Sequence, residues 1–339
     1  MSKAQKGSGC GAGSLGLKGA AMEEFPLVFG PVPSRRLGRS LGINNIPPKV
    51  CSYSCVYCQL GRTTRMQIRR EGFYRPDEIV AAVERRLVEL RGQGEEVDYI
   101  TFVPDGEPTL DANLGEEITA LKGMGVLVAV ITNGSLLWRR DVRADLARAD
   151  LVSVKVDAGT ESTWKRIDRP HKCLAWACVR GGILEFRLSF KGKLISESML
   201  VAGVNDSEEE LRALAEYLRA LGPDVAYISV PTRPPAETWV RPPDEGALAR
   251  AYAILSDALP RVELLIGYEG ESFAVSGDAA RDLLSIAAVH PLREEAVAEI
   301  LARDGAGWDV VEDLLRQGAL VEQRYGGHRF FLRRLPGRR

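Results

Sequence analysis

Residues 51–58 read Cys51-Ser52-Tyr53-Ser54-Cys55-Val56-Tyr57-Cys58. Three of the chain's 6 cysteines fall in this octapeptide, just after Pro47-Pro48 and a β-rich run over residues 40–46. So few cysteines in 339 residues, packed this tightly, are not a disulfide framework. A structural zinc site wants four Cys or His ligands. The chain's 3 histidines, His171, His290 and His328, are all remote from the loop, and His171 is the long-range ligand such a site would need. Three thiolates from one loop suit three irons of a [4Fe–4S] cubane, which leaves the fourth iron open to an external ligand. Cys51, Cys55 and Cys58 are therefore read as cluster ligands, with zinc as the alternative.

Outward from the loop, from about residue 41 to residue 269, short β-rich runs alternate with longer helical ones. Strands are expected over residues 40–46, 99–103, 126–132, 151–157, 194–201 and 225–230. A helix opens at Pro76-Asp77 and carries Ile79, Val80, Val83 and Leu87 at helical spacing. Another opens at Asn205-Asp206-Ser207 with Leu211, Leu214 and Leu218 on one face. Repeated β-α units imply a parallel sheet with right-handed crossovers. Six strands suit either a doubly wound sheet or an incomplete barrel. After Gly277 the texture changes to helices over residues 278–287, 292–302 and 308–317. A hairpin follows, over residues 319–324 and 329–334. That order is winged-helix-like. The expected division is a disordered tail over 1–22, an α/β core over 23–275 and a small C-terminal domain over 276–339.

In parallel α/β architectures, function collects at the C-terminal ends of strands. Three polar turns close successive apolar runs here: Pro104-Asp105-Gly106-Glu107-Pro108-Thr109, Thr132-Asn133-Gly134-Ser135 and Asp157-Ala158-Gly159. Asp105, Gly106 and Glu107 can present carbonyls and a carboxylate to a cationic amine. Thr132, Asn133 and Ser135 can hydrogen-bond a ribose or a carboxylate, and Asp157 is a further acceptor. Singly, each is an ordinary turn sequence. Their joint occurrence downstream of the cysteine loop makes them a rim around one cavity.

Together these motifs resemble the radical S-adenosylmethionine (SAM) superfamily. The CxxxCxxC loop, the Asp105-Gly106-Glu107 turn and the Thr132-Asn133-Gly134 strand end are similar to its cluster, SAM-amine and SAM-ribose motifs. A wider signature runs over residues 30–42, GPVPSRRLGRSLG, then Gln59-Leu60-Gly61, then Ile167-Asp168-Arg169-Pro170-His171. It resembles a group related to the wyosine-biosynthesis tRNA enzymes, over about residues 28–235. Two departures stand out. The turn reads Asp-Gly-Glu where the superfamily commonly has Gly-Gly-Glu or Asn-Gly-Glu. The tRNA-tricycle enzymes also carry a second cluster on upstream cysteines, and only Cys10 lies upstream here, which argues against the tricycle-forming reaction. The resemblance implies a partial (β/α)6 barrel, a [4Fe–4S] cluster and SAM as cofactors, and a one-electron donor of flavodoxin or ferredoxin type. It also implies reductive cleavage of SAM to a 5′-deoxyadenosyl radical that abstracts hydrogen from a substrate. On this reading Tyr57 is an aromatic wall near the adenine, with loop packing as its plainer role. Cys173 and Cys178 are expected to be buried structural thiols, with an auxiliary metal or substrate-facing role as the alternative.

Composition bounds the substrate. The chain is 45% apolar and 27% charged with a net charge of −1, as in ordinary globular proteins. It shows no apolar run of about 18 residues, as a membrane helix needs. Residues 1–22 lack the apolar core of a secretory signal, and the cytoplasm is the expected location. Between Arg35 and Arg70 there are eight basic residues and no acid: Arg35, Arg36, Arg39, Lys49, Arg62, Arg65, Arg69 and Arg70. Such a run around the cysteine loop suits phosphate contacts, and an RNA base is the leading substrate. The duller account pairs these side chains with acids elsewhere. In the C-terminal domain, Asp309, Glu312 and Asp313 oppose only Arg316 on the helix that would enter a groove, so sequence-specific DNA binding is not expected. A module that packs, or that presents its basic wing to RNA or to a protein partner, fits better. Two other readings stay open: radical modification of a protein side chain, and a non-catalytic zinc-binding winged-helix regulator.

Overall fold

The computed structural model describes residues 26–266 and 277–334. The tail expected over 1–22 and the boundary expected near 275 lie outside the described residues. The described residues begin with a hairpin in which β1 (Val28–Ser34) runs antiparallel to β2 (Gly38–Ile43). The two-residue strands β3 (Val50–Cys51) and β4 (Arg65–Met66) pair across the cysteine loop. The β-α repeats follow. α1 (Pro76–Gly92) leads to β5 (Tyr99–Phe102), and α2 (Leu114–Lys122) to β6 (Leu127–Thr132). α3 (Arg140–Leu146) leads to β7 (Leu151–Lys155). α4 (Glu161–Ile167) and α5 (Trp176–Ser189) then precede β8 (Lys193–Met199). α6 (Glu208–Leu221), β9 (Val225–Ser229), α7 (Glu245–Ala258) and β10 (Val262–Leu265) complete the sheet.

The strands form one sheet of order β1-β2-β5-β6-β7-β8-β9-β10, parallel from β2 onward. All six expected strands are present. The sequence reading missed the two edges. In β1, Pro31 and Pro33 remove ladder donors and the register shifts between Phe29 and Val32, which suits an edge strand but hides its period. β10 has only four residues, one of them Glu263.

The sheet has two apolar faces. Val128, Val130, Val152, Val154, Ala226 and Ile228 pack beneath the helices in the main core. Ala129, Leu151, Ile195, Val225, Tyr227 and Leu265 lie on the other face and meet one another and Leu37 from the β1–β2 turn. Contact across five strands and a hairpin tip requires the sheet to curl, so the expected partial barrel is the observed one. α6 shows how a covering helix is made. Ser207 caps its first turn, Gly222 takes the left-handed conformation at its end (φ 59°), and Leu211, Leu214, Leu218 and Leu221 are buried. Each such leucine contributes about 1.5–3 kcal/mol on burial.

Beyond residue 277 lie α8 (Ala279–Val289), β11 (Leu292–Arg293), α9 (Glu294–Asp304) and α10 (Asp309–Arg316). The hairpin β12 (Leu320–Tyr325) and β13 (His328–Arg333) follows. Their sheet has the order β11-β13-β12, over a core of its own that includes Leu283, Ile286, Val297, Ile300, Val311 and Phe331. This is a winged-helix-like arrangement. Leu292 and Arg293, expected to start a helix, instead pair with Phe331 and Phe330. The helix waits for Glu294 and Glu295, whose carboxylates suit its N-terminus. α8 packs the module onto the barrel edge, where Ala288 meets Phe29. Among the described residues, no helix is long and apolar enough to cross a membrane.

Candidate cluster and cofactor site

The cysteine loop leaves the C-terminal end of β2 and is held by three neighbouring segments. On one side, Lys49 N–H donates to Asp105 O (2.7 Å) and Glu107 N–H to Val50 O (3.1 Å). A Cβ on Gly106 would lie 1.9 Å from Val50 O, so the turn and the loop meet backbone to backbone only because residue 106 is glycine. On the other side, the segment after α4 runs antiparallel to the loop. Val56 N–H donates to Ile167 O (2.9 Å), Ser54 N–H to Asp168 O (3.0 Å) and His171 N–H to Ser52 O (2.9 Å). Tyr53 and Pro170 bridge between them. Above, Glu237 N–H donates to Val56 O (3.0 Å). Lys49 reaches this geometry at φ 64°, a left-handed conformation uncommon for a side-chain-bearing residue. The cost is accepted where the chain turns into the loop.

Side chains tie the rim to the loop. Glu107 is buried, and its carboxylate accepts from Thr109 N (3.1 Å), Thr109 Oγ1 (2.5 Å), Thr132 Oγ1 (2.5 Å) and Asn133 N (2.8 Å). It thereby locks the end of β5 to the end of β6. Burial nevertheless raises its pKa, more than these four donors lower it. Asn133 Nδ2 donates to Ser52 Oγ (2.9 Å) and stands 3.6 Å from Cys51 Sγ. Ser135 is fully buried, with its hydroxyl 2.6 Å from that of Ser52. Thr132 and Ser135, expected as ribose or carboxylate contacts, thus engage Glu107 and Ser52. Asn133 lies nearest the thiols.

Past β7, the Tyr57 hydroxyl donates to the Asp157 carboxylate. The other Asp157 oxygen accepts from Met199 N (2.6 Å), and Asn205 Nδ2 donates to Asp157 O (2.8 Å). Asp168 lies beside Asp157 and accepts from Cys55 Sγ (3.4 Å); burial, then the Asp157 charge, raises its pKa. Lys155 Nζ sits 5.4 Å over the Tyr57 ring and pairs with Glu197 (2.6 Å), which also pairs with Arg36. Lys49 Nζ donates to Gly61 O (2.5 Å) and lies 3.8 Å from Cys58 Sγ. Sequence reasoning names Lys49 only as part of the basic run and Asn205 only as a helix start; Lys155 and Glu197 carry no local motif. Asp168 entered through the resemblance alone.

The donor set fits the expected group. The three thiols share one loop, and burial, followed by Glu107, pushes Cys51 up to about 12. Burial, followed by Asp168, raises Cys55 as well. Such thiols ionise when a strongly cationic partner arrives. A cubane would give each of these three thiolates its own iron. His171, the long-range zinc ligand considered above, has its Nδ1 bonded to Cys173 N (3.2 Å). Cys173 and Cys178 are exposed, against the expectation of buried thiols. Cys173 lies in the turn before α5, and on that helix Val179, Ile183 and Phe186 take the buried face instead.

The basic segment is largely paired inside the fold. Arg36 meets Glu197, Arg39 meets Glu95, and Arg70 meets Asp141 and Asp145. Arg65 and Arg69 share Glu71, while Arg62 and Arg169 share Glu237.

Comparison with known proteins gives the family. Residues 45–218 match the family described as the Radical SAM superfamily. The chain is 42% identical over 314 residues to the UPF0026 protein MJ1312 of Methanocaldococcus jannaschii, covering 92% of this chain and 97% of that protein. A solved structure of TYW1 with a lysine-pyruvate adduct bound is similar at a TM-score of 0.50 and 18% identity, over 65% of this chain and 74% of that one. A radical SAM methyltransferase from Sphaerobacter thermophilus is similar at 0.50 and 18%, over 67% and 66%. At that identity the two structures speak for the fold alone.

Proposed function

The chain belongs to the radical SAM superfamily, among the UPF0026 proteins, and from that premise we propose that Cys51, Cys55 and Cys58 hold its [4Fe–4S] cluster beside a SAM site. In this superfamily the cluster supplies the electron that splits the sulfonium of SAM into methionine and a 5′-deoxyadenosyl radical. The chain's own residues do the placing. The Asp105-Gly106-Glu107 turn borders the amine of SAM, with Glu107 fixing Thr132 and Asn133 around it. Asn133 and Ser135 hold the cysteine loop through Ser52. Tyr57 and Asp157 close the adenosyl side as a bonded pair. The observation that carries this reading is the backbone interlock at Gly106, which joins the thiol loop to the turn.

The radical takes hydrogen from a substrate, and an RNA base is the class proposed. It is supported by the signature resemblance and by the rim, where two arginines share each of Glu71 and Glu237 and leave positive excess. A protein side chain, docked through the C-terminal module, is the alternative. The same proposal divides the chain into a core over 23–275 and a module over 276–339, supported by the separate apolar core of the latter. It takes a flavodoxin- or ferredoxin-type electron donor, and the free thiols suit a cytoplasmic setting.

Anaerobic reconstitution tests the chemistry. About four irons per chain and 5′-deoxyadenosine formed under dithionite are expected. One zinc per chain without SAM cleavage would sink the proposal in favour of a non-catalytic regulator. Modified nucleosides in tRNA and rRNA from deletion and parent strains test the substrate. An unchanged profile would replace the RNA base with a protein side chain.

A further inference from the structure

The loop after β9 touches the cysteine loop on one side and the C-terminal module on the other. Toward the cysteines, Glu237 binds Val56 O through its backbone, and its carboxylate accepts from Arg62 Nε (2.9 Å) and Nη2 (3.1 Å). Arg233 Nη1 donates to Gln59 Oε1 (3.1 Å), one residue past Cys58. Toward the module, Arg233 Nη2 lies 2.9 Å from His290 Nε2, and the Tyr325 hydroxyl donates to Pro231 O (3.2 Å). His290 is buried where α8 ends. Burial, and then the Arg233 charge, holds its pKa well below the usual imidazole range. The ring is therefore neutral and presents Nε2 as an acceptor to the guanidinium.

We propose that Arg233 is a positioning residue through which the C-terminal module fixes the cysteine loop around its cluster. Among the described residues, one guanidinium reaches partners on two separately packed units, through different terminal nitrogens. A planar fork spreads its donors over separate nitrogens and so spans both partners; a lysine ammonium keeps the charge but gathers its donors on one nitrogen. Groups one step beyond metal ligands set ligand orientation and cluster properties, and Gln59 follows Cys58 directly, so a hold on its side chain restrains that ligand's backbone. The module thereby gains a role that needs no nucleic-acid contact, consistent with the acidic face of α10. This inference rests on the cluster reading above.

The test uses the full chain, reconstituted anaerobically, as wild type and as Arg233→Ala, Arg233→Lys, His290→Ala and His290→Gln. Iron loss to a chelator, the electron paramagnetic resonance spectrum of the reduced protein with and without SAM, and the midpoint potential are the readouts. Arg233→Ala, Arg233→Lys and His290→Ala are expected to lose iron about tenfold faster, the low end for losing an outer partner of a metal ligand. Their spectra and potentials should shift. His290→Gln, whose amide oxygen accepts, should stay near wild type. Arg233→Lys keeps the charge and so guards against a folding failure in the alanine variant. Wild-type iron retention, spectrum and potential in all variants would overturn the inference alone, even with lowered melting temperatures. A wild-type chain that takes up no iron would overturn the cluster reading as well.

Discussion

A Cβ on Gly106 would lie 1.9 Å from Val50 O and 2.8 Å from Ile46 Cδ1. The first of these is backbone, so rotamer change cannot relieve the overlap. Gly106→Ala is expected to destabilise the fold by about 1–3 kcal/mol, as overpacking does, and to cut iron uptake sharply. A denaturant melt and an iron assay check both parts, and full iron loading in a normally stable variant would remove the interlock from the site. A second residue-scale device lies below that turn, where Asp111 and Glu117 are buried together beside Asn45. Burial, then the Asp111 charge, pushes Glu117 well above the usual carboxylate range. At a pH below the ordinary carboxylate pKa, folded and unfolded chains both carry the proton and the pair costs nothing. As pH rises, the unfolded chain ionises first, and stability falls until Glu117 itself ionises. Glu117→Gln should flatten the decline in melting temperature from mildly acidic to mildly basic pH. Parallel pH profiles for the variant and wild type would refute this.

At the scale of elements, the six central strands and the helices after Pro76 and Ser207 were legible because apolar period and capping residues agree there. β1 was not, since its prolines break the alternation, and neither was β11, whose pairing partners lie nearly forty residues downstream. The cysteine loop could be read as a thiol site, but not its frame. Residues 167–171 run along the loop through backbone bonds, which leave no trace in residue type. The helix that leads into that strip is anchored at its far end by Glu210, at the start of α6. Its carboxylate accepts from Gly159 N (2.5 Å), Thr160 N (3.1 Å), Thr160 Oγ1 (2.7 Å) and Thr163 Oγ1 (2.9 Å) at the start of α4. Glu210→Ala strands buried donors, at about 1–3 kcal/mol for each group left unsatisfied. A total loss of about 2–4 kcal/mol is expected in a urea melt with an unchanged slope. Glu210→Gln, which keeps one acceptor oxygen, should fall between. A variant as stable as wild type would show that α4 is held by its packing alone.

Over the whole molecule, charge was the quantity that sequence order most misrepresented. Eight basic residues without an acid between positions 35 and 70 suggest a strongly positive face. Folding brings Glu71, Glu95, Asp141, Asp145, Glu197 and Glu237 to six of them, from as far as 175 residues away. What survives is local: one carboxylate for two arginines at each of Glu71, Glu95 and Glu237, while Glu197 faces Arg36 and Lys155 where all three are largely buried. Counter-ion release turns this into a measurable slope. Eight phosphate contacts would give a log–log dependence of affinity on salt of about −6 to −7, whereas three unmatched charges give about −2 to −3. RNA binding by the full chain, followed by filter retention of bulk tRNA across a salt series, should show the shallow slope. Glu71→Gln and Glu237→Gln should each steepen it, because each frees an arginine from its shared partner. A steep wild-type slope that these substitutions leave unchanged would mean that phosphates are met by another face of the molecule. The C-terminal wing would then be the place to look, since Arg324 and Arg334 lie on or beside its hairpin.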